Sequence, residues 1–299
     1  MSDLSATAVA TRGAAVSARP VLFTDPETVG ADIRALAGPQ ASIALVPTMG
    51  ALHAGHLSLV KKARKKADFV VVSIFVNPLQ FGANEDLDEY PRTLEADLDA
   101  LAGKADAVFA PAPGQMYPGG SPSTHIEPGP VARMFEGQAR PRLFPGALTV
   151  VAKLFALVRP DCAVFGEKDA QQLFLVRQMV RDLSIPVKIV SAKIVRDSDG
   201  LALSSRNAYL NAEERRAALA LHRALSAAED NEHLGLSAAL SAAQSVLMGE
   251  PAVTLDYLVA VDPKTFLPVD DRPSGKVLLL VAAQVGSTRL IDNQKLYFA

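Results

Sequence analysis

From Ser42 onward the chain alternates short β-branched runs with longer segments of helical period, and this rhythm narrows the possible folds more than any other feature. Ile43–Val46, Phe69–Val76, Ala107–Phe109, Cys162–Gly166 and Val187–Val190 are apolar runs beside turn residues, the pattern of strands buried on both faces. Leu57–Lys66, Thr93–Ala102, Thr149–Val158 and Gln171–Leu183 carry apolar residues every three or four positions. Val151, Leu154, Phe155 and Val158 form one such helix face. Strands alternating with helices predict a parallel sheet covered on both sides. Pro111–Gly146, rich in Pro and Gly, breaks the rhythm and is expected to wrap an edge of that sheet.

Composition closes off several alternatives. With 299 residues and 49% hydrophobic content, the chain is long enough for about two domains. Lys and Arg number 30 against 32 Asp and Glu, a net charge of −2 that argues against a protein held to nucleic acid by overall charge. The basic run Lys61–Lys66 has no interleaved aromatics and reads as a solvated helix face. The single cysteine, Cys162, permits no intrachain disulfide and no paired-cysteine zinc site, which suits a reducing, cytoplasmic setting. Apolar runs such as Phe69–Val72 and Val277–Ala283 fall far short of the ~20 residues of a membrane span. Residues 1–20 lack the apolar stretch of a secretory signal and are read as a flexible tail.

A polar segment near Val195–Asn211 marks a shift. Asn211 reads as a helix N-cap with Glu214 completing a capping box. Two Ala-rich helices follow, then apolar runs at Leu255–Val261, Val277–Ala283 and Thr288–Ile291. The expected division is therefore a tail (1–20), an α/β domain (21–194) and a smaller α+β domain (195–299).

Four segments carry chemistry. Val46–Leu57 contains Pro47-Thr48-Met49-Gly50-Ala51-Leu52-His53-Ala54-Gly55-His56 where a strand gives way to a helix. Open parallel sheets bind ligands there, and a helix start offers unpaired N–H groups to phosphate. Two imidazoles three residues apart, protonated or donating N–H, can stabilise charge developing on phosphorus. A metal site would need a third ligand, with only His125, His222 and His233 left, and no metal-ligand set is assigned. No GxxxxGK[ST] loop is present, so chemistry at the α-phosphate is the better reading. Gly166-Glu167-Lys168-Asp169 ends another strand, with Gln172 one helical turn beyond Lys168. Asp199–Asn207 sets Ser204 and Ser205 beside Arg206, donors able to wrap a triphosphate. Ser73–Phe81 leaves Gln80 near the binding edge, with Phe81 as an apolar wall. Each of the last three, taken alone, also reads as an ordinary turn or loop.

Together these segments closely resemble the pantothenate synthetase (pantoate–β-alanine ligase) family. PTMGALHAGH, VSIFVNPLQFG, EYPRT, RPDCAVFGEKDAQQ and DGLALSSRNAYL occur in the family's order across most of Ser42–Leu210. The resemblance implies a Rossmann-like N-terminal domain of the HxGH nucleotidyltransferase type, a C-terminal lid, a homodimer, and ATP with Mg²⁺. It implies pantoate attack on the α-phosphate to give pantoyl adenylate, then attack by β-alanine. Residue by residue, it assigns Met49, Gly50, Ala51, Leu52, His53, Ala54, Gly55 and His56 to ATP, with His56 as proton donor and His53 assisting. Gly166, Glu167, Lys168, Asp169, Val195, Leu203, Ser204, Ser205 and Arg206 join them. Lys168, Ser204, Ser205 and Arg206 are counted with the histidines as catalytic. Gln80 is assigned to pantoate and β-alanine, Gln172 to pantoate, and Asp97 to Mg²⁺ through water. Leu203 stands where the family often has methionine. A nucleotidyltransferase making a dinucleotide, an aminoacyl-tRNA synthetase fragment and a non-catalytic nucleotide-binding regulator share parts of this pattern.

Overall fold

Six parallel strands, β1 (Val21–Phe23), β2 (Ile43–Thr48), β3 (Phe69–Ile74), β4 (Ala107–Phe109), β5 (Cys162–Gly166) and β6 (Lys188–Ala192), form one sheet in the order β1-β4-β3-β2-β5-β6. This computed structural model describes residues 19–299 other than 83, 84 and 86, so the reading of 1–20 as a tail falls, but for Arg19 and Pro20, outside the described residues. Helices α1 (Val29–Ala37), α2 (Ala54–Arg64), α3 (Leu94–Leu101), the short α4 (Pro113–Met116) and α5 (Glu136–Ala139), α6 (Leu143–Val158) and α7 (Ala170–Asp182) connect the strands.

Alternate residues of each strand enter different helical layers. Ile43 and Leu45 join α1, α6 and α7 in one core, whereas Ala44 and Val46 pack with α2 and α3 in another. Right-handed crossovers explain the partition. Helices α2 and α3 carry the chain from β2 through β3 to β4, while α6 and α7 carry it the opposite way, to β5 and β6. Opposite travel with one handedness puts the two sets on opposite faces. Winding therefore reverses between β2 and β5, and the crevice beyond their carboxyl ends is where such sheets bind ligands.

Residues 111–146 depart from the expected edge position and run across the helical layer. Ile126 N donates to Thr149 Oγ1 of α6 at 2.8 Å, and Gln171 Nε2 of α7 donates to the carbonyls of Val131 and Met134 at 2.8 and 2.9 Å. Buried backbone groups of the segment are thus satisfied by side chains of α6 and α7.

The C-terminal third forms α8 (Ala212–Asp230), α9 (Leu236–Met248) and an antiparallel meander of β7 (Val253–Val261), β8 (Gly275–Val285) and β9 (Thr288–Phe298). Asn211 caps α8 through Glu213 and Glu214, and the expected capping box is present. One face of the meander packs on α8 and α9. The other brings Val261, Phe266, Leu278 and Leu280 against Phe135 and Phe174 of the first unit. Beside this apolar seam, Arg289 donates to both carboxylate oxygens of Glu136 at 2.8 and 2.7 Å and to Asp256, and Tyr257 Oη donates to Glu136 at 2.8 Å. Removing one partner of a buried pair leaves an uncompensated charge, which costs far more than the pair's net worth. The Arg289→Ala variant is therefore expected to lose on the order of 3 kcal/mol, read as a lower urea midpoint; an unchanged midpoint would show that Glu136 is hydrated. No described helix is long and apolar enough to cross a membrane.

Candidate active site

The loop after β2 is shaped by one buried carboxylate. Asp97 of α3 accepts from Leu52 N at 2.8 Å through Oδ1 and from Ala51 N at 3.1 Å through Oδ2. Gly50 turns at φ +85°, and a Cβ there would meet Asp97 Oδ2 at 3.0 Å and Ile74 at 3.1 Å, so the turn has room only for glycine. Both oxygens of Asp97 hold backbone amides, so the carboxylate has a structural task in the loop besides the Mg²⁺ contact through water that the resemblance implies.

This loop delivers the two histidines to the start of α2. His53 is the N-cap, and its Nδ1 accepts from Gly55 N at 3.1 Å, while His53 N donates to His56 Nδ1 at 3.4 Å. Two imidazoles thus form a capping box usually built from a hydroxyl and a carboxylate. Each Nδ1 acts as acceptor, so each ring carries its proton on Nε2. The rings lie 4.1 Å apart. Burial pushes the His56 pKa down to about 3, with the neighbouring His53 adding to the shift, and burial followed by Lys168 lowers that of His53. Of the two forms left open by the sequence, the neutral one holds: both rings offer Nε2–H as uncharged donors. At Gly55 a Cβ would stand 2.7 Å from the His53 ring. The Gly55→Ala variant exchanges a cap worth ~1 kcal/mol for a helix-propensity gain of similar size. Stability is thus expected to move little while displacement of the His53 ring lowers turnover; a melt that drops with turnover unchanged would contradict the steric role.

Across the switch point, β5 ends in the Gly166–Asp169 turn. Asn293 of β9 fixes it, donating from Nδ2 to the carbonyls of Glu167 and Lys168 at 2.9 Å each. Lys168 lines the cavity with only 19% of its side chain exposed. The Glu167 side chain is turned away from it: its carboxylate accepts from Ser191 Oγ at 2.9 Å and from Lys295 Nζ at 2.5 Å. Burial alone would raise its pKa, but the Lys295 and Ser191 bonds outweigh burial and hold it below the usual carboxylate value.

The third segment folds back on itself. Leu203 N donates to Val195 O at 3.0 Å and Asp197 N to Leu201 O at 2.8 Å, a hairpin turned at Gly200 with φ +97°. Its outgoing arm brings Leu203 to 3.6 Å from where a Cβ on Gly55 would stand and presents Ser204, Ser205 and Arg206 to the cavity. Ser204 caps the following 3-10 turn by accepting from Arg206 N at 3.3 Å, and Ser205 Oγ lies 3.2 Å from Tyr90 Oη.

Gln80 sits in a 3-10 turn, Pro78–Gln80, pressed against α6 where only a glycine, Gly146, leaves room for the Leu79 backbone. Asn77, fully buried, donates to Gln80 Oε1 at 3.0 Å and to Gly146 O at 3.1 Å, and accepts from Tyr117 Oη at 2.9 Å. With its oxygen occupied, Gln80 directs its amide NH₂ to Met49 Sδ at 3.1 Å and to the cavity. Gln172 opens into the same space. Phe81 does not, correcting its reading as a wall: it packs edge-on against Tyr90.

These groups enclose one cavity of about 800 Å³, within the range for small-molecule sites. Met49, His53, Gly55, His56, Gly166, Lys168 and Asp169 line it, as do Val195, Leu203–Arg206, Gln80 and Gln172. Gly50, Ala51, Leu52 and Ala54 belong to the same loop and helix start and set the positions of Met49, His53 and His56 on that wall. Sequence reasoning missed Asn77, Tyr90, Arg140 and Asn293; of these, only Asn77 and Tyr90 fall within the motifs quoted for the family resemblance.

The pantoate–β-alanine ligase family model matches residues 22–295. A pantothenate synthetase of Nocardioides sp. is 54% identical over 93% of this chain and 86% of its own length, and that of Leifsonia xyli subsp. xyli is 54% identical over 93% and 96%. Among solved structures, the pantothenate synthetase of Thermus thermophilus superimposes with a TM-score of 0.86 at 45% identity, covering 93% of this chain and 99% of that one. The Francisella tularensis pantoate–β-alanine ligase, solved with β-γ ATP and β-alanine, gives 0.76 at 34% identity over 92% and 97%. The chain belongs to the pantoate–β-alanine ligase family.

Proposed function

We propose that the cavity between the ends of β2 and β5 is the single site at which this ligase condenses pantoate with β-alanine at the expense of ATP. The observation that carries this reading is convergence: neutral imidazoles, an ammonium, two hydroxyls, a guanidinium and two amides, distant in sequence, line one space. In the first step a pantoate carboxylate oxygen bonds to the α-phosphorus, the bond to the bridging oxygen breaks, and pyrophosphate leaves. His53 and His56 donate Nε2–H to the phosphoryl oxygens, while Lys168, Ser204, Ser205 and Arg206 meet charge on the departing phosphates. Gln80 and Gln172 orient pantoate through hydrogen bonds that leave its carboxylate nucleophilic. In the second step the amine of β-alanine bonds to the acyl carbon, the bond to the phosphate oxygen breaks, and AMP leaves as the nitrogen loses a proton.

Mg²⁺ enters this reading as part of the ATP substrate and neutralises phosphate charge. An acyl adenylate hydrolyses readily, so water must be kept out until the amine arrives. We read residues 195–299 as a lid over the 21–194 domain, the contact between Ser205 and Tyr90 supporting closure over the nucleotide. A cytoplasmic homodimer completes the proposal, and light scattering tests the assembly. The reaction itself is tested by mixing protein, Mg-ATP and pantoate. Pyrophosphate exchange without β-alanine, and AMP only after β-alanine is added, are expected; exchange that needs β-alanine would overturn the two-step order.

A further inference from the structure

Arg140, at the C-terminal end of α5, lines the cavity beside Gln80 and had no assigned task. Its Nε donates to Glu85 Oε2 at 2.8 Å, its Nη2 donates to the same oxygen, and Nη2 also approaches the Gln80 carbonyl at 3.5 Å. Both side chains are largely enclosed, 18% and 22% exposed. Glu85 thus takes one edge of the guanidinium, the edge formed by Nε and Nη2. On the other edge, Nη1 has no partner among the described residues, and the second proton of Nη2 has only the long contact to the Gln80 carbonyl. A planar guanidinium offers two such forks, each matched to a carboxylate.

The reaction presents three anionic groups to the cavity. The triphosphate has the histidines, Lys168 and the Ser204–Arg206 turn. The carboxylate of pantoate must attack phosphorus, and a tight guanidinium pair would hold back the lone pair it needs. That leaves the carboxylate of β-alanine. Among the other cations of the wall, Arg289 is already held by Glu136 and Asp256, and Lys193 is exposed. Arg140 adjoins Gln80, the amide read as serving the acyl acceptor.

We infer that Arg140 binds the carboxylate of β-alanine through its Nη1–Nη2 edge, with Glu85 as the positioning residue that holds the guanidinium in place. This rests on the two-step reading above. Anchoring the acid end fixes how far the amine reaches, which selects for chain length. It also screens the carboxylate from the ammonium, so the amine releases its proton more readily.

The test compares β-alanine with 3-aminopropanamide, an acceptor of equal length whose amide replaces the carboxylate, in the full-length wild type, Arg140→Ala and Arg140→Lys. Pantoate-dependent pyrophosphate exchange, which involves no acceptor amine, is followed on the same preparations. Charge-assisted bonds of this kind correspond to a preference for β-alanine in kcat/KM of about 10- to 100-fold. That preference is expected to collapse in Arg140→Ala while exchange continues, and to shrink in Arg140→Lys, which keeps the charge but loses the fork. A merely structural Arg140 would slow both amines alike. Retention of the wild-type preference in Arg140→Ala, or in Arg140→Lys if the alanine variant does not fold, overturns the assignment. Absence of exchange in the wild type would instead overturn the two-step reading, and this inference with it.

Discussion

The His56→Ala variant is expected to form pyrophosphate from ATP and pantoate about 10²–10³-fold more slowly, the loss that follows removal of one preorganised donor aimed at developing charge. The effect is electrostatic rather than a lost proton, because the ring is already neutral: its Nδ1 faces the His53 amide and its pKa lies near 3. A neutral imidazole at a helix start is a known means of polarising an oxygen at physiological pH. Rate profiles should therefore lack an inflection near 6.5 that His56→Gln abolishes. Stability carries the complementary sign. The folded pKa lies below the unfolded value of 6.5, so the penalty is absent above 6.5 and grows as pH falls toward 3. Urea midpoints measured from pH 7 to pH 4 should fall less steeply in His56→Gln; parallel curves would show that His56 is solvated. Near wild-type pyrophosphate release by His56→Ala in rapid-mix experiments would remove the residue from the chemistry.

Lys168→Ala is expected to slow both half-reactions by a similar factor of about 10²–10³. The ammonium first meets charge on the phosphates as pyrophosphate departs, and later the charge left on AMP when the amine displaces it. Its effect on stability should be small, since its carboxylate neighbour, Asp169, is 3.7 Å away and 53% exposed, and such pairs contribute little. Single-turnover measurements separate the steps. A variant with a higher pantoate Kd and unchanged rates for both steps would place Lys168 in substrate binding alone.

Much of this architecture is legible in local pattern because buried parallel strands and amphipathic helices are local phenomena. Five of the six parallel strands and the helices after β2, β3, β4 and β5 follow from periodicity. The exceptions have physical reasons. Strand β1 is only three residues long and largely exposed, an edge strand whose short apolar run is not set off by a following run of strong helical period. Helix α1 buries only Val29 and Ile33, and its Gly30, normally a helix breaker, is required where a Cβ would meet Leu157 O at 2.4 Å. Helix α6 begins at Leu143 rather than Thr149, because Pro145 falls in the first turn, where its missing N–H costs nothing. Strand β9 runs past Ile291 to Phe298 although Asp292–Lys295 are polar. Asp292 and Asn293 are buried against Arg196 and the Glu167–Lys168 backbone, and the partly exposed Lys295 pairs with Glu167.

The same division holds at the site. His53, His56, Lys168, Ser204, Ser205 and Arg206 were readable because each ends a strand or opens a turn within its own segment. Asp97, Asn293 and Arg140 were not read in their roles, since the partners that define them lie 45, 125 and 55 positions away. Nor can a sequence report a tautomer: whether the histidines act as acids or as neutral donors depends on which nitrogen the backbone has taken. Glu167 shows the converse, a motif residue whose carboxylate a distant lysine turns away from the cavity.

Pantoate labelled with ¹⁸O in both carboxylate oxygens tests the central claim most directly. Attack on the α-phosphorus leaves one pantoate oxygen on phosphorus when the amine displaces it, so AMP isolated after one turnover should carry a single ¹⁸O and pantothenate the other. Unlabelled AMP, or label appearing in pyrophosphate or orthophosphate, would contradict the account.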